Sequence, residues 1–281
     1  MKVLITGSSG QLGVTLQSTF TGHELALVDL PETDISNREQ IFSIVDSFQP
    51  NVIIHCAAYT DVDGCVTNPE LAYQVNSLGT QNVVLACHRN DAAMVHISSN
   101  EVFAGDRPDG YDEWMMPDPQ NIYGRSKTAG EFHVRSILQR YYVVRTAWLY
   151  AAGGRNFIHT ILRLAQQGNQ LRVVTDEIGN PTYAKDLAEA ILELINTDQY
   201  GTYHLVNEGT CSRFEFAQEV LQLGSDRAIE IIPIMSSEYR RASTPPLYGA
   251  LNNIFGSSIG IKLRPWRDAL AEYVADHVSS K

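Results

Sequence analysis

The stretch Lys2-Val3-Leu4-Ile5-Thr6-Gly7-Ser8-Ser9-Gly10-Gln11-Leu12-Gly13 lies at the start of the chain and decides its fold. An apolar run ends at Gly7, glycines recur at every third position, and a helical pattern follows to about Phe20. Glycines at this spacing let the backbone turn tightly, approach a pyrophosphate and pack a helix against a strand. The free N–H groups and the dipole of that helix then favour phosphate. The stretch therefore predicts the first strand, loop and helix of a dinucleotide-binding domain.

Asp29 follows a second apolar run, Leu25–Val28, and lies about 20 residues beyond the glycine loop. A carboxylate at this place can accept hydrogen bonds from an adenosine ribose 2′-hydroxyl, and it would repel a 2′-phosphate. We therefore expect NADH or NADPH as the cofactor, with NADH slightly favoured by Asp29. The alternative is a loop carboxylate that contacts no ligand.

Helix and strand patterns alternate through the rest of the first half. Helical spacing extends over Asn37–Phe48 and from Pro69 to about Asn90, and strand patterns occupy Val52–Cys56, Ala92–Ile97 and Tyr141–Arg145. Such alternation implies right-handed βαβ units and a parallel sheet that is covered on both faces. The predicted fold is α/β, a Rossmann-type doubly wound parallel sheet whose ligands bind at the carboxyl ends of the strands.

The order of elements becomes mixed after residue 150, which indicates a second, smaller unit. We assign residues 1–150 plus about 171–204 to the Rossmann domain that binds the dinucleotide. Residues of about 151–170 and 205–281 are assigned to a small α/β C-terminal lobe that binds the substrate. Within this lobe, Ser212 followed three residues later by Glu215 predicts a capped helix start.

The stretch Tyr123-Gly124-Arg125-Ser126-Lys127 opens a helical pattern that runs to about Arg140. Positions i and i+4 lie on one face of a helix, so the phenol and the ammonium can share a pocket. A nearby cation favours phenolate, so we expect Lys127 to lower the pKa of Tyr123 towards the working range of a proton donor or acceptor. In isolation the pair is more typical of a solvated tyrosine stacked on a lysine stem.

The composition excludes several classes of function. A net charge of -11 and a pI of about 5.1 argue against a nucleic-acid-binding surface or a polybasic membrane patch. No apolar run approaches the roughly 20 residues that span a bilayer, and the strand pattern that starts at Lys2 leaves no room for a signal peptide. We therefore expect a cytoplasmic protein. The four cysteines and eight histidines show no metal-ligand spacing, so no metal is expected.

Together these motifs resemble an extended short-chain dehydrogenase/reductase and, more narrowly, the dTDP-4-dehydrorhamnose reductases of nucleotide-sugar metabolism. The resemblance covers nearly the whole chain, and its motifs are specific in combination. They are TGSSGQLG at 6–13, TDIS at 33–36, CAAYTDVD at 56–63, AYQVN at 72–76, HISS at 96–99, YGRSK at 123–127, RTAWLY at 145–150 and GNPTYA at 179–184.

The resemblance implies a role for each of several residues. Tyr123 would protonate the 4-keto oxygen of a nucleotide-linked sugar as the cofactor reduces that carbon, Lys127 would hold the nicotinamide ribose, and Ser99 would polarise the carbonyl. Asn76 matches a helix residue that supports the active site, although an ordinary surface asparagine is the alternative. Trp148 is a candidate platform for a sugar or a base, with a core position as its alternative.

The remaining expectations also come from the resemblance. The implied cofactor contacts are Gly7, Gly10, Gln11, Leu12, Gly13, Asp29, Asp34, Ile35, Ala57, Ala58, Tyr59, Ser98, Tyr123 and Lys127. The implied substrate contacts are Ser99, Asn100, Phe103, Tyr123, Trp148, Asn180 and Thr182. The expected partner is a nucleotide-sugar substrate, without nucleic acid or membrane, and the expected assembly is a monomer or a homodimer.

Two regions depart from the family pattern. Where the family commonly reads Thr-Asp-Tyr-Val-Phe-Asp-Gly, this chain reads SNEVFAG at 99–105, so Asn100 and Ala104 replace carboxylates. Further on, the family has an Arg-Pro pair and a serine near the substrate, and Ser243–Gly249 has neither at the matching positions. An arginine there would clamp a diphosphate bidentately. The departures therefore concern the substrate end of the site.

Competing interpretations follow from these departures. Nucleotide-sugar 4,6-dehydratases carry an Asp-Glu pair after the Ser/Thr, and this chain keeps Glu101 but has Asn100 for the aspartate. Elimination of water needs an acid that asparagine cannot supply, so we do not expect dehydration. A reductase or epimerase of another nucleotide-linked keto-sugar remains an alternative. So does a non-catalytic NAD(P)-binding regulatory subunit like that of methionine adenosyltransferase.

Overall fold

A computed structural model describes the chain at residues 1–154, 156–168 and 170–278. Residues 155, 169 and 279–281, which fall in the predicted C-terminal lobe, lie outside the described residues. The strands are β1 (Lys2–Thr6), β2 (Glu24–Val28), β3 (Val52–His55), β4 (Ala93–Ser99), β5 (Tyr141–Thr146), β6 (Leu149–Tyr150), β7 (Gln170–Val174), β8 (Ile178–Gly179), β9 (Thr182–Tyr183), β10 (Gly201–His204), β11 (Cys211–Ser212) and β12 (Glu230–Ile234). The α-helices are α1 (Gln11–Thr19), α2 (Arg38–Phe48), α3 (Val62–Thr67), α4 (Pro69–Tyr73), α5 (Thr80–Arg89), α6 (Ile122–Ile137), α7 (Phe157–Gln167), α8 (Ala184–Leu194), α9 (Arg213–Gly224), α10 (Phe255–Ser258) and α11 (Trp266–His277). Among the helices that the structure describes, none combines the length and the apolar character needed to cross a bilayer.

Six strands form the central sheet in the order β10-β5-β4-β3-β1-β2. Every neighbouring pair in this sheet is parallel. The chain passes from β1 to β2 on one side and then returns to β3 on the other side of β1. A topological switch point therefore lies between β1 and β3, which is where ligands of open α/β sheets bind. The predicted Rossmann-type parallel sheet is confirmed.

Helices cover both faces of this sheet because successive side chains of a strand point to opposite faces. Ile5 of β1 belongs to a core shared with α1 and α8, whereas its neighbour Leu4 belongs to a core shared with α2 and α5. Both faces of the inner strands β1, β3 and β4 are therefore buried, which explains their nearly continuous apolar runs. The sheet is doubly wound, as predicted.

The second half of the chain builds a smaller α/β lobe around an aromatic core. Tyr150, Phe216, Trp266 and Tyr273 are buried together in this core, where α7, α9 and α11 meet β7. The predicted cap of α9 is present, because the Ser212 hydroxyl accepts a hydrogen bond from the Glu215 N–H at 3.0 Å. The Glu215 carboxylate in turn accepts the Ser212 N–H at 2.7 Å. This reciprocal cap fixes where α9 begins.

The strand β7 pairs outside the central sheet, whereas the sequence analysis places its residues in the Rossmann domain. It pairs in parallel with β12, and its Leu171 and Val173 are buried in the core of the lobe. The chain returns to the central sheet later, with α8 in the core beside α1 and β10 next to β5. An apolar run indicates a strand but not the strand with which it pairs, because that pairing depends on residues far away in the sequence.

The long helix predicted from Pro69 to about Asn90 is interrupted in the structure. Between α4 and α5 the chain forms a π-helical segment, Gln74–Gly79. π-Helical segments are rare in proteins, and those that occur frequently lie at functional sites. This one contains Asn76, whose side chain is fully buried.

A buried ion pair ties α6 to the two strands beneath it. Arg145 of β5 donates to both carboxylate oxygens of Glu131 at 2.8 Å, and the Ser98 hydroxyl of β4 donates to the same group at 2.6 Å. Burial by itself would raise the pKa of Glu131, but the hydrogen bonds and charge of Arg145 outweigh it and hold that pKa below its ordinary value. The carboxylate is therefore ionised and fully partnered inside the domain.

We expect Arg145→Met to destabilise the protein by about 3–5 kcal/mol, because it leaves the Glu131 charge buried without its main partner. The matched control is Arg135→Met, which removes the other arginine that contacts Glu131 but has a partly exposed side chain. That control should cost about 1 kcal/mol or less. Urea unfolding of the two variants measures the difference, and equal losses would contradict the role given to Arg145.

Candidate active site

A cavity of about 530 Å³ opens at the carboxyl ends of the central strands, over the switch point. It brings together most of the residues that the sequence analysis singles out. Those that line it are Gly7, Gly10, Gln11, Leu12, Gly13, Asp29, Asp34, Ile35, Ala57, Ala58, Ser98, Ser99, Asn100, Tyr123, Lys127 and Trp148.

The glycine loop forms a cradle of bare backbone at one end of this cavity. Gly7 has a φ of +67°, and a Cβ atom there would lie 2.6 Å from the backbone nitrogen of Ala57. A Cβ atom on Gly13 would lie 2.2 Å from the carbonyl oxygen of Gly7. The first turn of α1 carries no acidic side chain. Its N–H groups and the positive end of its dipole are therefore left for an anionic ligand in the cradle. These features fit the pyrophosphate of a dinucleotide.

The Asp29 carboxylate borders the same cradle and is held by backbone N–H groups. One oxygen accepts the Ser9 N–H at 2.7 Å, and the other accepts the Leu30 N–H at 2.9 Å. These bonds fix the orientation of the carboxylate at the end of β2. A negative charge therefore stands next to the loop that would hold the phosphates.

Tyr123 lies in the first turn of α6, which follows the capping residue Asn121. The Asn121 side-chain oxygen accepts the Gly124 N–H at 2.8 Å and fixes the start of the helix. Ser99, at the end of β4, hydrogen-bonds to the Tyr123 phenol and accepts the Glu101 N–H at 3.1 Å. The helix start and the strand end thus place the two hydroxyl groups side by side.

The pKa of Tyr123 lies above its ordinary value, so the lowered pKa predicted from the spacing of Tyr123 and Lys127 is wrong. Burial is the main cause, the charge of Glu101 adds to it, and the hydrogen bond from Ser99 acts in the opposite direction. The ammonium of Lys127 instead donates to the Ile97 carbonyl oxygen at 2.7 Å. Burial lowers the pKa of Lys127 to about 8, against the opposing effects of Glu131 and Cys56. Tyr123 is therefore a neutral phenol at neutral pH and can act as a proton donor.

Asn76 supports the site through backbone and side-chain contacts. Its side-chain oxygen accepts the Tyr59 N–H at 2.7 Å, and its amide donates to the Tyr59 carbonyl at 3.1 Å and to the Ser126 hydroxyl at 2.9 Å. It thereby joins the loop after β3 to the middle of the Tyr123-to-Lys127 turn. The alternative of an ordinary surface asparagine is wrong, since this side chain is buried.

Glu101 is a titratable group of the cavity that the sequence analysis considers only for dehydration. Its carboxylate accepts a hydrogen bond from the Asn121 amide at 2.6 Å. Burial raises the pKa of Glu101 to about 7, while Asn121, Arg213 and Arg241 act in the opposite direction. Within the described cavity, a carboxyl group that titrates near neutral pH therefore lies beside the phenol of Tyr123.

Four predicted contacts do not line the cavity in the described structure. Phe103 is buried and stacks on Tyr111 at a ring distance of 4.3 Å. The Asn180 side chain bonds to the backbone of Gly209 and Leu251, and the Thr182 hydroxyl donates to the Asn180 carbonyl. Tyr59 is the fourth. Their neighbours in space come from distant parts of the chain, which a motif does not reveal.

Trp148 lies two residues after β5 and has a φ of +45°. This conformation is uncommon outside glycine and recurs at ligand sites. Trp148 borders both the cavity of about 530 Å³, which we call the catalytic cavity because it contains the candidate catalytic residues, and a second, aromatic cavity of about 490 Å³ inside the lobe. Arg213, which the sequence analysis does not single out, also borders both cavities. Its guanidinium lies 3.6 Å from the centre of the Trp148 ring.

Comparison with known proteins agrees with this geometry. The family described as RmlD substrate binding domain matches residues 1–279. The chain belongs to this family. It is 37% identical to the spore coat polysaccharide biosynthesis protein SpsK of Bacillus subtilis, over 99% of each chain. It is also 37% identical to a dTDP-4-dehydrorhamnose reductase of Mycobacterium tuberculosis, over 99% of this chain and 94% of that protein.

A solved structure shows the same architecture. The dTDP-4-dehydrorhamnose reductase of Bacillus anthracis in complex with NADP superposes with a TM-score of 0.95 at 39% identity, over 98% of this chain and 99% of that chain. The family expected from the sequence is therefore confirmed, as is its fold. Among the described residues, no group of three or more His, Cys, Asp or Glu side chains is placed to hold a metal ion.

The pKa of Glu101 predicts how the stability of this protein depends on pH. The folded state keeps the Glu101 proton up to a pH of about 7, whereas the unfolded carboxyl loses it near pH 4.5. The folded state therefore binds more protons between these values, and this group lowers stability as pH rises through that window. Glu101→Gln should remove the effect.

Between pH 5 and pH 8, the free energy of unfolding of the variant should rise by about 2 kcal/mol relative to that of the wild type. This value is smaller than the full pKa shift of Glu101 would give, because the side chain is partly exposed. Urea unfolding at both pH values measures this gain. Glu193→Gln on the exposed side of α8 is the control. A difference between Glu101→Gln and the wild type that does not change with pH would refute the assignment.

Proposed function

We propose that this chain is an NAD(P)H-dependent reductase of the 4-keto group of dTDP-4-dehydro-6-deoxy-L-mannose (dTDP-4-dehydrorhamnose), forming dTDP-L-rhamnose. The observation that carries the proposal is the meeting of Ser99, Tyr123 and Lys127 in one cavity that continues into the glycine cradle. Full-length relatives at 34% to 37% identity bear the name of this reductase. A fold alone would not support the same conclusion, because one fold hosts many activities.

The residues of this chain that would hold the cofactor follow the cavity wall. The backbone at Gly7, Gly10, Gln11, Leu12 and Gly13 would bind the pyrophosphate. Asp34 and Ile35 would flank the adenine, while Ala57, Ala58 and Ser98 would border the ribose and nicotinamide side. Tyr59 would act only through its backbone, which Asn76 holds. When bound, the dihydronicotinamide supplies a hydride to the carbonyl carbon.

Tyr123 supplies the proton that completes the reduction. Its O–H bond breaks, the proton goes to the keto oxygen, and the alcohol O–H forms. The raised pKa of Tyr123 keeps the phenol protonated until this step. Ser99 donates a hydrogen bond that stabilises the negative charge developing on the same oxygen. The Lys127 ammonium, held at the Ile97 carbonyl, would orient the nicotinamide ribose and favour the resulting phenolate.

The substrate would enter between the lobe and the sheet. Asn100 and Trp148 line the catalytic cavity and are the proposed direct contacts, together with Ser99 and Tyr123. We assign Phe103, Asn180 and Thr182 a supporting role, because they pack behind the wall. Thr182, for example, pairs with Leu149 in the strand next to Trp148. A cytoplasmic location and a monomeric or dimeric state remain predictions from the sequence.

A second candidate is a reductase of another nucleotide-linked keto-sugar. The Glu101 carboxyl group within the catalytic cavity favours this candidate. The family motif has a tyrosine at this position, and a carboxyl group would make different hydrogen bonds and charge contacts with the substrate. The similarity to SpsK, which is named for spore coat polysaccharide biosynthesis, also supports a substrate used in polysaccharide biosynthesis. The active-site chemistry would be unchanged.

The proton donor is tested by Tyr123→Phe in an assay that follows NADPH and NADH oxidation at 340 nm with dTDP-4-dehydrorhamnose. We expect kcat to fall by about 100- to 10,000-fold, because the proton donor is lost. Tyr203→Phe, which removes a hydroxyl from the edge strand β10, should retain full activity. Dinucleotide binding without any turnover by the wild type would direct the search to other keto-sugars and then to a regulatory role with a protein partner.

The cofactor preference is a further proposal, and we assign it to Asp29. Its carboxylate would accept hydrogen bonds from an adenosine ribose and repel a 2′-phosphate, so NADH should be slightly preferred. Asp29→Asn should raise the ratio of kcat/KM for NADPH to that for NADH by about tenfold, because the repulsion disappears. Initial rates with both cofactors measure this ratio. An unchanged ratio would exclude Asp29 as the determinant.

A further inference from the structure

Three cavities that share lining residues follow a path from the sheet into the lobe. The catalytic cavity of about 530 Å³ is followed by a middle chamber of about 130 Å³ and then by the aromatic cavity of about 490 Å³. Trp148 and Arg213 border all three. The small chamber shares Asn100 and Glu101 with the first cavity, and Glu177 and Arg241 with the third. A ligand that extends along this path would therefore contact the groups of the chamber.

The middle chamber holds two arginines that share one carboxylate. Glu177, whose side chain is 5% exposed, forms a short hydrogen bond with Arg241 and lies 3.8 Å from Arg213. The two arginine side chains are 25% and 23% exposed, so both guanidinium groups still reach the chamber. Glu101 also lines this chamber, and burial raises its pKa to about 7. At pH 6 Glu101 is therefore largely neutral, and the two guanidinium groups outweigh the single charge of Glu177 beside the proposed active site.

Both arginines are fixed by the fold. Arg213 is the first residue of α9, follows the reciprocal cap of that helix, and donates its backbone N–H to the Glu177 carbonyl at 3.1 Å. Arg241 lies two residues before Ser243, whose N–H donates to the Asp63 carboxylate of α3 at 2.8 Å. That bond joins the loop of the lobe to the Rossmann side. The chamber therefore lies between the two parts of the chain, with one arginine on each of two separate elements.

We infer that Arg213 and Arg241 form the binding site for the diphosphate of a nucleoside diphosphate sugar, and that Glu177 is their counter-ion until the diphosphate replaces it. This inference rests on the proposed function and names the residues that select its substrate class. Such a ligand consists of a sugar, a diphosphate and a nucleoside in that order, and the chamber likewise shares lining residues with the cavity on either side of it. Guanidinium groups bind phosphate oxygens through paired hydrogen bonds.

The ends of the path fit the other two parts of such a ligand. Ser99 and Tyr123 border the first cavity, where the keto-sugar would react. The third is lined by Trp148, Phe157 and Phe216, whose rings give a flat apolar surface for a base. The loop Ser243–Gly249 lacks the arginine that the family has there, and Pro245 and Pro246 of this loop border the chamber. The charge comes from α9 and from the segment before the loop.

The inference is tested by calorimetric titration of the whole protein at pH 6 with dTDP, dTMP and thymidine, and with UDP and UMP. The wild type should bind a nucleoside diphosphate more tightly than its monophosphate. Arg241→Gln should weaken diphosphate binding by about 10- to 100-fold and abolish the preference over the monophosphate. Thymidine binding should change by less than about twofold, because it makes no charged contact.

Two further variants keep the result interpretable. Arg267→Gln is the matched control, since Arg267, like Arg241, lies over an aromatic ring and beside a glutamate in the lobe but does not border the three cavities. It should bind like the wild type. Glu177→Gln should bind the diphosphate several-fold more tightly, because the arginines then lose no counter-ion. A structural ion pair predicts the opposite, with Glu177→Gln and Arg241→Gln both weakening binding.

The outcomes separate this inference from the proposed reaction. Binding of a diphosphate that depends on Arg241, without turnover of dTDP-4-dehydrorhamnose, would keep the site and reject the proposed substrate. Turnover of that substrate with no effect of Arg241→Gln on KM or on dTDP affinity would keep the reaction and overturn the site. A wild type that does not distinguish either diphosphate from its monophosphate would overturn the site as well.

Discussion

The candidate active site depends on the ion pair and hydrogen bonds of the buried Glu131 carboxylate. It lies one turn after Lys127 on α6, and it is bound by Arg145 of β5 and Ser98 of β4. A buried charge is costly unless all its hydrogen bonds are made. Its partners therefore fix the distance and the rotation of α6 over the ends of both strands. The position of Tyr123 relative to Ser99 follows from this constraint.

Burial gives the site its electrostatic character before any ligand binds. It raises the pKa of Tyr123, raises that of Glu101 to about 7, and lowers that of Lys127 to about 8. All three changes favour the neutral form of a group. A neutral phenol is the form that a reduction consumes, so desolvation prepares Tyr123 as an acid. In the proposed reaction Lys127 becomes more important after the proton transfer, when the Tyr123 phenolate needs a cation nearby.

Local signals in the sequence predict a large part of this arrangement. The glycine spacing, the Tyr-x-x-x-Lys spacing and the Ser212–Glu215 cap depend on neighbours within one helical turn or one loop. The partner of β7, the burial of Phe103 and the π-helical segment at Asn76 depend on residues far away in the chain. The raised pKa of Tyr123 is of the same kind, because a spacing rule contains no information on desolvation.

The pair Arg213 and Arg241 shows the limit of reading a substrate site by aligned positions. The requirement set by a diphosphate is positive charge at one place in space, and any element that borders that place can supply it. Here α9 begins at the chamber wall, and the loop held at Asp63 also borders the chamber. An arginine that is absent from its usual loop therefore does not argue against a nucleotide-linked substrate. The cavity shape and the location of charge carry that information, and both depend on the folded chain.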